Sequence, residues 1–383
     1  MRILMIAIPN QHFFQWVDQL RDAGHEVVWF DITDDETPSP RIPWVTQIKK
    51  WKRRYRLPFR HKLRKWLPAV SSWVERWNTV DASSVLSLTA ERFRPHVIHC
   101  FEMDRAGTPI LDFLEKTHIP VIYSSWGSDL FQLASARPSD VQARFLKRAD
   151  FLISDCSRDV NLALQNGFTG RVLGVLPANG GMHFPKDSIR SLEERNIILV
   201  KGYEDGVGKA LAVLDALHEL PEHYHHLKLV VYAADDVVSV YCRQNRLPFQ
   251  DVRVYSRYQF VSNADLIDMM GRSILHIGNS TSDGMPNALL EAMGMGAFPI
   301  QSNPGGATEE VIRHGENGFL IASPTDSTAI RELVITALQD VSLRRNAQEY
   351  NVHVLSETRD RTKLKPVINE LYEHIKSEWT SRF

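Results

Sequence analysis

Asp283 and Glu291 bracket the stretch of this chain whose residue types and spacing ask most plainly for chemistry, DGMPNALLE. A polar loop, Gly278 to Asp283, runs into a helix that Pro286 should open. Proline is favoured at the first helical position because its missing N–H would be unpaired there anyway. Asn287 and Glu291 are four apart and share one helical face, which leaves Leu289, Leu290 and Met293 for the core-facing side. The N–H groups of the first turn point toward the loop of Ser282, Asp283 and Gly284, an anion site beside a carboxylate. A diphosphate would sit at the helix start, with Asp283 at one end of the ligand and Glu291 at the other. Spacing alone equally allows Asp283 to be a helix cap and Glu291 a surface residue.

The longer run DGMPNALLEAMGMGAFPI, with Gly305-Gly306 and then EEVI behind it, resembles the nucleotide-sugar half of retaining glycosyltransferases of family 4, which have the GT-B fold. The family signature is Glu, seven residues, Glu, then the rest of the helix, a Gly-x-Pro strand and a Gly-Gly turn. Here Asp283 stands at the first position, Glu291 at the second, and the strand reads Gly296-Ala297-Phe298-Pro299, its proline displaced by one. The resemblance implies that Asp283 contacts the donor sugar, that Glu291 binds the nucleotide ribose, and that the amides of Gly284, Met285, Pro286 and Asn287 line the sugar and phosphate. Pro286 can offer only its carbonyl. It implies a basic pair for the diphosphate, matched in type by Lys201 and Lys209, and a base-holding loop at Ser256-Arg257-Tyr258. In the first half, Trp126-Gly127-Ser128-Asp129 resembles the family's His-Gly-x-Asp motif with tryptophan in place of histidine. An indole offers a stacking face and one donor but cannot carry a proton. Asp129 is then expected to bind acceptor or donor sugar, or else to cap the helix behind it. After the first strand the family's Gly-Gly loop is replaced by Asn10-Gln11-His12. His12 is a site candidate by position, with a packing or capping histidine the alternative.

The elements that must position these residues alternate along the chain. Arg2 to Pro9, a helix pattern to Ala23 and Glu26 to Phe30 form a βαβ opening, which predicts a doubly wound parallel sheet. The expected architecture is α/β, with two facing Rossmann-like domains, a cleft between them, and a last helix that crosses back to the first. The expected boundaries are 1–180 for the acceptor-side domain, 181–360 for the nucleotide-sugar domain and 361–383 for the closing helix. Pro177 to Pro185, rich in Gly and Pro, reads as the hinge. Asp235-Asp236 reads as a helix start rather than a metal site.

Within the first domain, 41–77 is unlike the rest. From Thr37 to Val74 there are eleven Lys and Arg and no acidic residue, in a chain whose net charge is −1. Trp44, Ile48, Trp51 and Tyr55, and again Phe59, Leu63, Trp66 and Val70, fall at helical spacing. A basic amphipathic segment with tryptophans suits an anionic membrane surface. The alternative is a pair of ordinary helices whose aromatic stripe packs inward. No nucleic-acid motif accompanies the charge.

At 383 residues, 43% hydrophobic and 24% charged, the chain can bury two sizeable cores. No run approaches the ~18 apolar residues of a membrane span, and Met1 to Ile8 is too short for the core of a signal peptide. Cys100, Cys156 and Cys242 fit neither a disulfide framework nor a metal site. The expected location is the cytoplasm, with possible peripheral contact at the inner face of its membrane. The implied activity is retaining, metal-independent transfer of a sugar from a nucleotide diphosphate donor to a saccharide or lipid-linked acceptor, with no cofactor, in cell-surface polysaccharide or glycolipid synthesis. Two rivals remain: a sugar-nucleotide epimerase of the same architecture, and a non-catalytic sugar-nucleotide-binding or membrane scaffold protein, which Trp126 and Asp283 would favour.

Overall fold

The computed structural model describes residues 1–34, 37–55, 65–66 and 68–380. Its chain forms two compact units. The first comprises 1–154, 159–180 and the chain from Lys365 on; the second comprises 155–158 and 181–364.

The first unit is built on a seven-stranded parallel sheet, ordered β3-β2-β1-β4-β5-β6-β7. Its strands are β1 (Arg2–Ala7), β2 (Glu26–Asp31), β3 (Thr46–Ile48), β4 (Val97–Phe101), β5 (Val121–Ser124), β6 (Phe151–Ser154) and β7 (Arg171–Val175). The apolar runs MRILMIA and HVIHCF are buried along nearly their whole length, as strands covered by helices on both faces should be. Asn10 ends the first loop by accepting the Phe13 N–H at 2.9 Å. The helix it caps is Gln11–Asp18, shorter than its sequence pattern, because the chain from Gln19 on folds into turns that reach Gly24 at a positive φ of 73°. Phe13 packs edge-on against Phe101, centroids 5.3 Å apart. A buried polar chain crosses the same layer. Trp16 Nε1 donates to Tyr372 Oη at 3.0 Å, Tyr372 Oη meets His99 Nδ1 at 2.7 Å, and His99 Nε2 meets Ser124 Oγ at 2.7 Å. Tyr372 lies on the helix Arg361–Thr380, so that helix completes this core.

The basic segment departs from a pair of helices. Thr46–Ile48 instead pairs with Val28–Phe30 as the edge strand β3, since the sheet offers an unpaired edge at β2 and Thr46 is β-branched. Trp51 packs on Phe30, with centroids 4.7 Å apart, and donates to the Asp31 carbonyl at 2.8 Å. Phe59 and Leu63 lie outside the described residues. The later part is helical, Pro68–Asn78.

The second unit has a six-stranded parallel sheet, ordered β10-β9-β8-β11-β12-β13. The strands are β8 (Ile197–Lys201), β9 (Lys228–Ala234), β10 (Asp251–Ser256), β11 (Ser273–Gly278), β12 (Phe298–Ser302) and β13 (Phe319–Ile321). One face is covered by the helices Ala210–His218 and Ser327–Gln339. The other is covered by Asn263–Gly271, Asn287–Gly294 and Val341–Thr358. The sheet order turns back at β8 and β11, and in such sheets the ligand crevice lies at the carboxyl ends of the strands flanking that point. Lys201 and Gly278 are those ends.

Candidate functional site

Two loops leave the carboxyl ends of β8 and β11 and are zipped together. Lys209 N–H donates to the Asn279 carbonyl and Asn279 Nδ2 to the Lys209 carbonyl, both at 3.0 Å. Thr281 N–H reaches the Val207 carbonyl at 2.9 Å, and Gly208 bridges Ser280. Gly208 has to be glycine here: a Cβ would lie 2.3 Å from the Tyr203 carbonyl oxygen.

The loop from β11 delivers Asp283 to the start of the helix Asn287–Gly294. Pro286 occupies the cap position, with ψ 116°, and Asn287 is the first helical residue, one later than the sequence pattern places the start. The Pro286 carbonyl receives the N–H groups of Leu289 and Leu290 at 3.1 and 3.2 Å. Pro286 makes no side-chain cap hydrogen bond, Asp283 lies three residues before that cap position and accepts the Gly284 N–H, and the N-terminal dipole favours an anion here. Asp283 is half-buried. Burial raises its carboxyl pKa from the ordinary range, opposed by the charge of Lys201, the Gly284 N–H and Arg158. Its carbonyl is fixed by Arg158 Nη1 at 2.9 Å, and the same nitrogen reaches the Pro304 carbonyl at 2.8 Å. Glu310 in turn accepts the N–H groups of Ser157 and Arg158, at 2.8 and 2.9 Å. Asp155 accepts the Met285 N–H at 3.3 Å.

Glu291 is one helical turn further along. Burial pushes its carboxyl up to about 7, and its hydrogen-bond donor is Asn263 Nδ2 at 3.3 Å. Lys201 stands with its Nζ 4.5 Å above the Tyr203 ring, and the Arg257 guanidinium lies 4.5 Å from the same ring. Arg257 is held by Asp235 at 2.9 Å and by Asp205 at 3.3 Å, so its charge is already paired. Lys209 turns its ammonium back onto the Gly206 carbonyl, 3.0 Å away, and it is the Lys209 main chain that ties the two loops. Behind Lys201, Tyr232 Oη meets His276 Nε2 at 3.0 Å. Burial and the Lys201 charge lower His276 to about 3, so this imidazole is neutral. Asp235 opens the helix Asp236–Gln244 and accepts the Glu204 N–H at 2.8 Å.

In the first unit, Asp129 is buried and fully used. Its carboxylate accepts from Tyr123 Oη at 2.6 Å, the Met103 N–H at 2.9 Å and the Trp126 N–H at 3.1 Å. It braces the loops after β4 and β5 and does not present a carboxylate to a sugar. Gly127, at φ 86°, supplies the turn between them. His12 is half-buried, with its ring 5.8 Å from that of Trp126. Beside them, Glu102 takes a positive φ of 73° and accepts the Arg105 N–H. Burial, with Asp129 nearby, pushes its carboxyl up to about 7. A pocket of about 590 Å³ lies at the strand ends of this unit, walled by Ile8, Ile32, Trp51, Lys52, Val80 and Arg105.

Sequence reasoning missed Arg158, Glu310, His276 and this pocket. Arg158 meets its two carbonyl partners across 125 and 146 residues of chain, so no local signal could find it. His276 did leave a signal, a titratable residue inside the apolar run ILHIG.

Residues 9–178 match the glycosyl transferase 4-like domain, and residues 186–353 match the glycosyl transferases group 1 family. No curated protein matches the chain by sequence. Among solved structures, the sucrose-phosphate synthase of Thermosynechococcus elongatus superposes with a TM-score of 0.73 at 16% identity, covering 99% of this chain and 100% of that one. HepE of Anabaena, in complex with UDP and glucose, gives 0.67 at 14% identity over 98% and 100%. The lipopolysaccharide outer core galactosyltransferase WaaB gives 0.69 at 13% over 98% and 100%. At such identities these likenesses speak for the fold.

Proposed function

This chain is a glycosyltransferase of the GT-B fold, and we propose that it transfers a sugar from a nucleotide diphosphate donor, with retention and without metal, to a saccharide or lipid-linked acceptor. The observation that supports this reading best is the helix start at Pro286-Asn287, flanked by two carboxyls whose pKa burial raises, Asp283 and Glu291. A diphosphate there receives main-chain N–H groups and the helix dipole, and Lys201 supplies the facing positive charge. Glu291 anchors the ribose and Asp283 the donor sugar. As the bond from the anomeric carbon to the phosphate oxygen breaks, negative charge grows on the diphosphate. Fixed positive charge and oriented dipoles stabilise that growth without reorganising, and such electrostatic terms are usually the largest in catalysis. The acceptor hydroxyl bonds to the same carbon, and its proton passes to the departing phosphate oxygen. That route needs no histidine at Trp126. Arg257 and Lys209 assist from the loops they already brace, and Asp129 supports the acceptor side through the loops it ties together.

The test is thermal-shift binding across UDP-, GDP-, ADP- and dTDP-sugars, on wild type and Glu291→Ala. A ligand at 100 times its dissociation constant stabilises the folded state by about 2.7 kcal/mol. One nucleotide class should raise the melting point of wild type and not that of Glu291→Ala. If no nucleotide sugar moves either protein, the donor site is misplaced and the reading falls.

A further inference from the structure

The helix Pro68–Asn78 is amphipathic the wrong way round for a soluble surface. Trp66, just before it, and Val70, Trp73 and Trp77 along it fall at steps of four, three and four, one helical stripe. That stripe faces out: Trp66 is 76% exposed, Val70 46%, Trp73 70% and Trp77 54%. Ser71 and Asn78 are the residues buried beneath. Asn78 is built into the fold, since its Oδ1 accepts the Tyr55 N–H and its Nδ2 donates to the Tyr55 carbonyl, both at 2.8 Å. Arg53 pairs with Thr79 as an antiparallel bridge, and the Val80 N–H reaches the Lys52 carbonyl at 2.8 Å. The clamp lays the Tyr55 ring flat on Trp77, with centroids 5.7 Å apart and 12° between planes. The orientation is therefore fixed by hydrogen bonds between the buried Asn78 side chain and the Tyr55 main chain.

Lys52, Arg54, Lys65 and Arg76, from the same two stretches of chain, are exposed, and Glu75 is the acidic residue of the helix. From these observations we propose that Tyr55, Trp66, Val70, Trp73 and Trp77, with their four cations, form a docking surface for an anionic lipid bilayer. Tryptophan and tyrosine rings settle at the headgroup level of a membrane, where an apolar body and a polar edge are both satisfied. Lys and Arg beside them meet anionic headgroups. A second copy of this chain is a poorer occupant, because pairing the stripe with itself brings like charges together. Lys52 also belongs to the wall of the 590 Å³ pocket, so the docking surface and that pocket share a residue. Docking itself does not depend on the transfer reaction.

Flotation of the full chain with phosphatidylcholine vesicles, with and without about 30% phosphatidylglycerol, tests the surface. Wild type should float with the anionic vesicles, show a blue-shifted tryptophan emission, and be released by high salt. The exposed-site variant Trp66→Ser/Trp73→Ser/Trp77→Ser should stay in the load. Lys52→Gln/Arg54→Gln/Arg76→Gln should bind at least tenfold more weakly. Melting temperatures matching wild type confirm that both variants fold. Failure of wild type to float with either vesicle overturns the proposal, as does flotation of the tryptophan variant at the wild-type level. A dimer in sedimentation that the tryptophan variant turns monomeric, with no vesicle binding, overturns it in favour of self-association.

Discussion

Arg158 holds the main-chain carbonyl of Asp283 at 2.9 Å and, through the same nitrogen, that of Pro304 at 2.8 Å. One guanidinium thus splices the loop before the helix Asn287–Gly294 to the turn after β12. Arg158→Ala leaves both carbonyls without this donor, and an unsatisfied buried carbonyl costs about 1–3 kcal/mol. The expected outcome is a lower melting temperature and donor affinity reduced by about tenfold or more, read by calorimetric titration. Arg158→Lys should recover only part of either, because the flexible lysine stem does not hold its nitrogen as rigidly at the point between the two carbonyls. Full recovery by lysine would show that charge alone matters there.

Glu291 predicts a pH dependence of donor binding. Its carboxyl is pushed up to about 7 by burial, and in the proposed donor site the ionised form offers two charged acceptor oxygens to the ribose hydroxyls where the acid turns one of them into a donor. With a pKa near 7, roughly one tenth is ionised at about pH 6 and nine tenths at about pH 8. Donor affinity should therefore rise severalfold across that interval, while Glu291→Gln binds weakly and without slope. A flat wild-type profile from titrations at the two pH values would separate Glu291 from the ribose.

Glu102 makes the corresponding statement about stability. Its carboxyl titrates near 7 in the folded protein and near 4.5 when unfolded. Between those values the folded state binds the extra proton, so this group's contribution falls as pH rises through the window. Glu102→Gln keeps an oxygen for the Arg105 N–H and removes the charge. It should match wild type near pH 4 and exceed it above pH 7 by on the order of 1–3 kcal/mol. Chemical denaturation at the two ends of the window gives the comparison, and equal stabilities at high pH would show that solvent reaches the carboxylate.

Tyr372→Phe removes the hydroxyl that Trp16 and His99 share. Two buried polar groups then lose a partner, a cost of about 2–4 kcal/mol. The melting transition should fall accordingly while donor affinity at the Asp283–Glu291 site is unchanged. A concurrent loss of donor binding would mean that the polar chain does more than hold the helix Arg361–Thr380.

What could be read from the sequence was what is local. The apolar runs from Arg2 and from Glu26 read as β1 and β2, and the spacing from Asp283 to Glu291 located a loop and a helix start within one residue. The helix Asp236–Gln244 behind Asp235 was equally plain. Three things were not legible, each for a physical reason. Asp129 looked available because its partners, Tyr123 and the Met103 N–H, meet it only once β4 and β5 pair. Arg257 looked like a ligand-binding cation, but Asp205 and Asp235 come from two other loops to hold it. In the basic segment, periodicity could not separate residues that pack inward, such as Trp51 on Phe30, from those that face out, such as Trp73. That division rests on which polar residue, here Asn78, is buried with its hydrogen bonds satisfied by the main chain of Tyr55.

The helix Arg361–Thr380 supplies Tyr372 to a core that begins with Trp16. A ribosome delivers those residues only after it has made everything between them, including the whole of the second sheet. On emerging, the first unit therefore lacks the hydroxyl that Trp16 and His99 share in the finished protein. Because the first unit includes the chain from Lys365 on, a nascent chain arrested after Gly180 should be far more sensitive to protease than the same residues in the finished molecule.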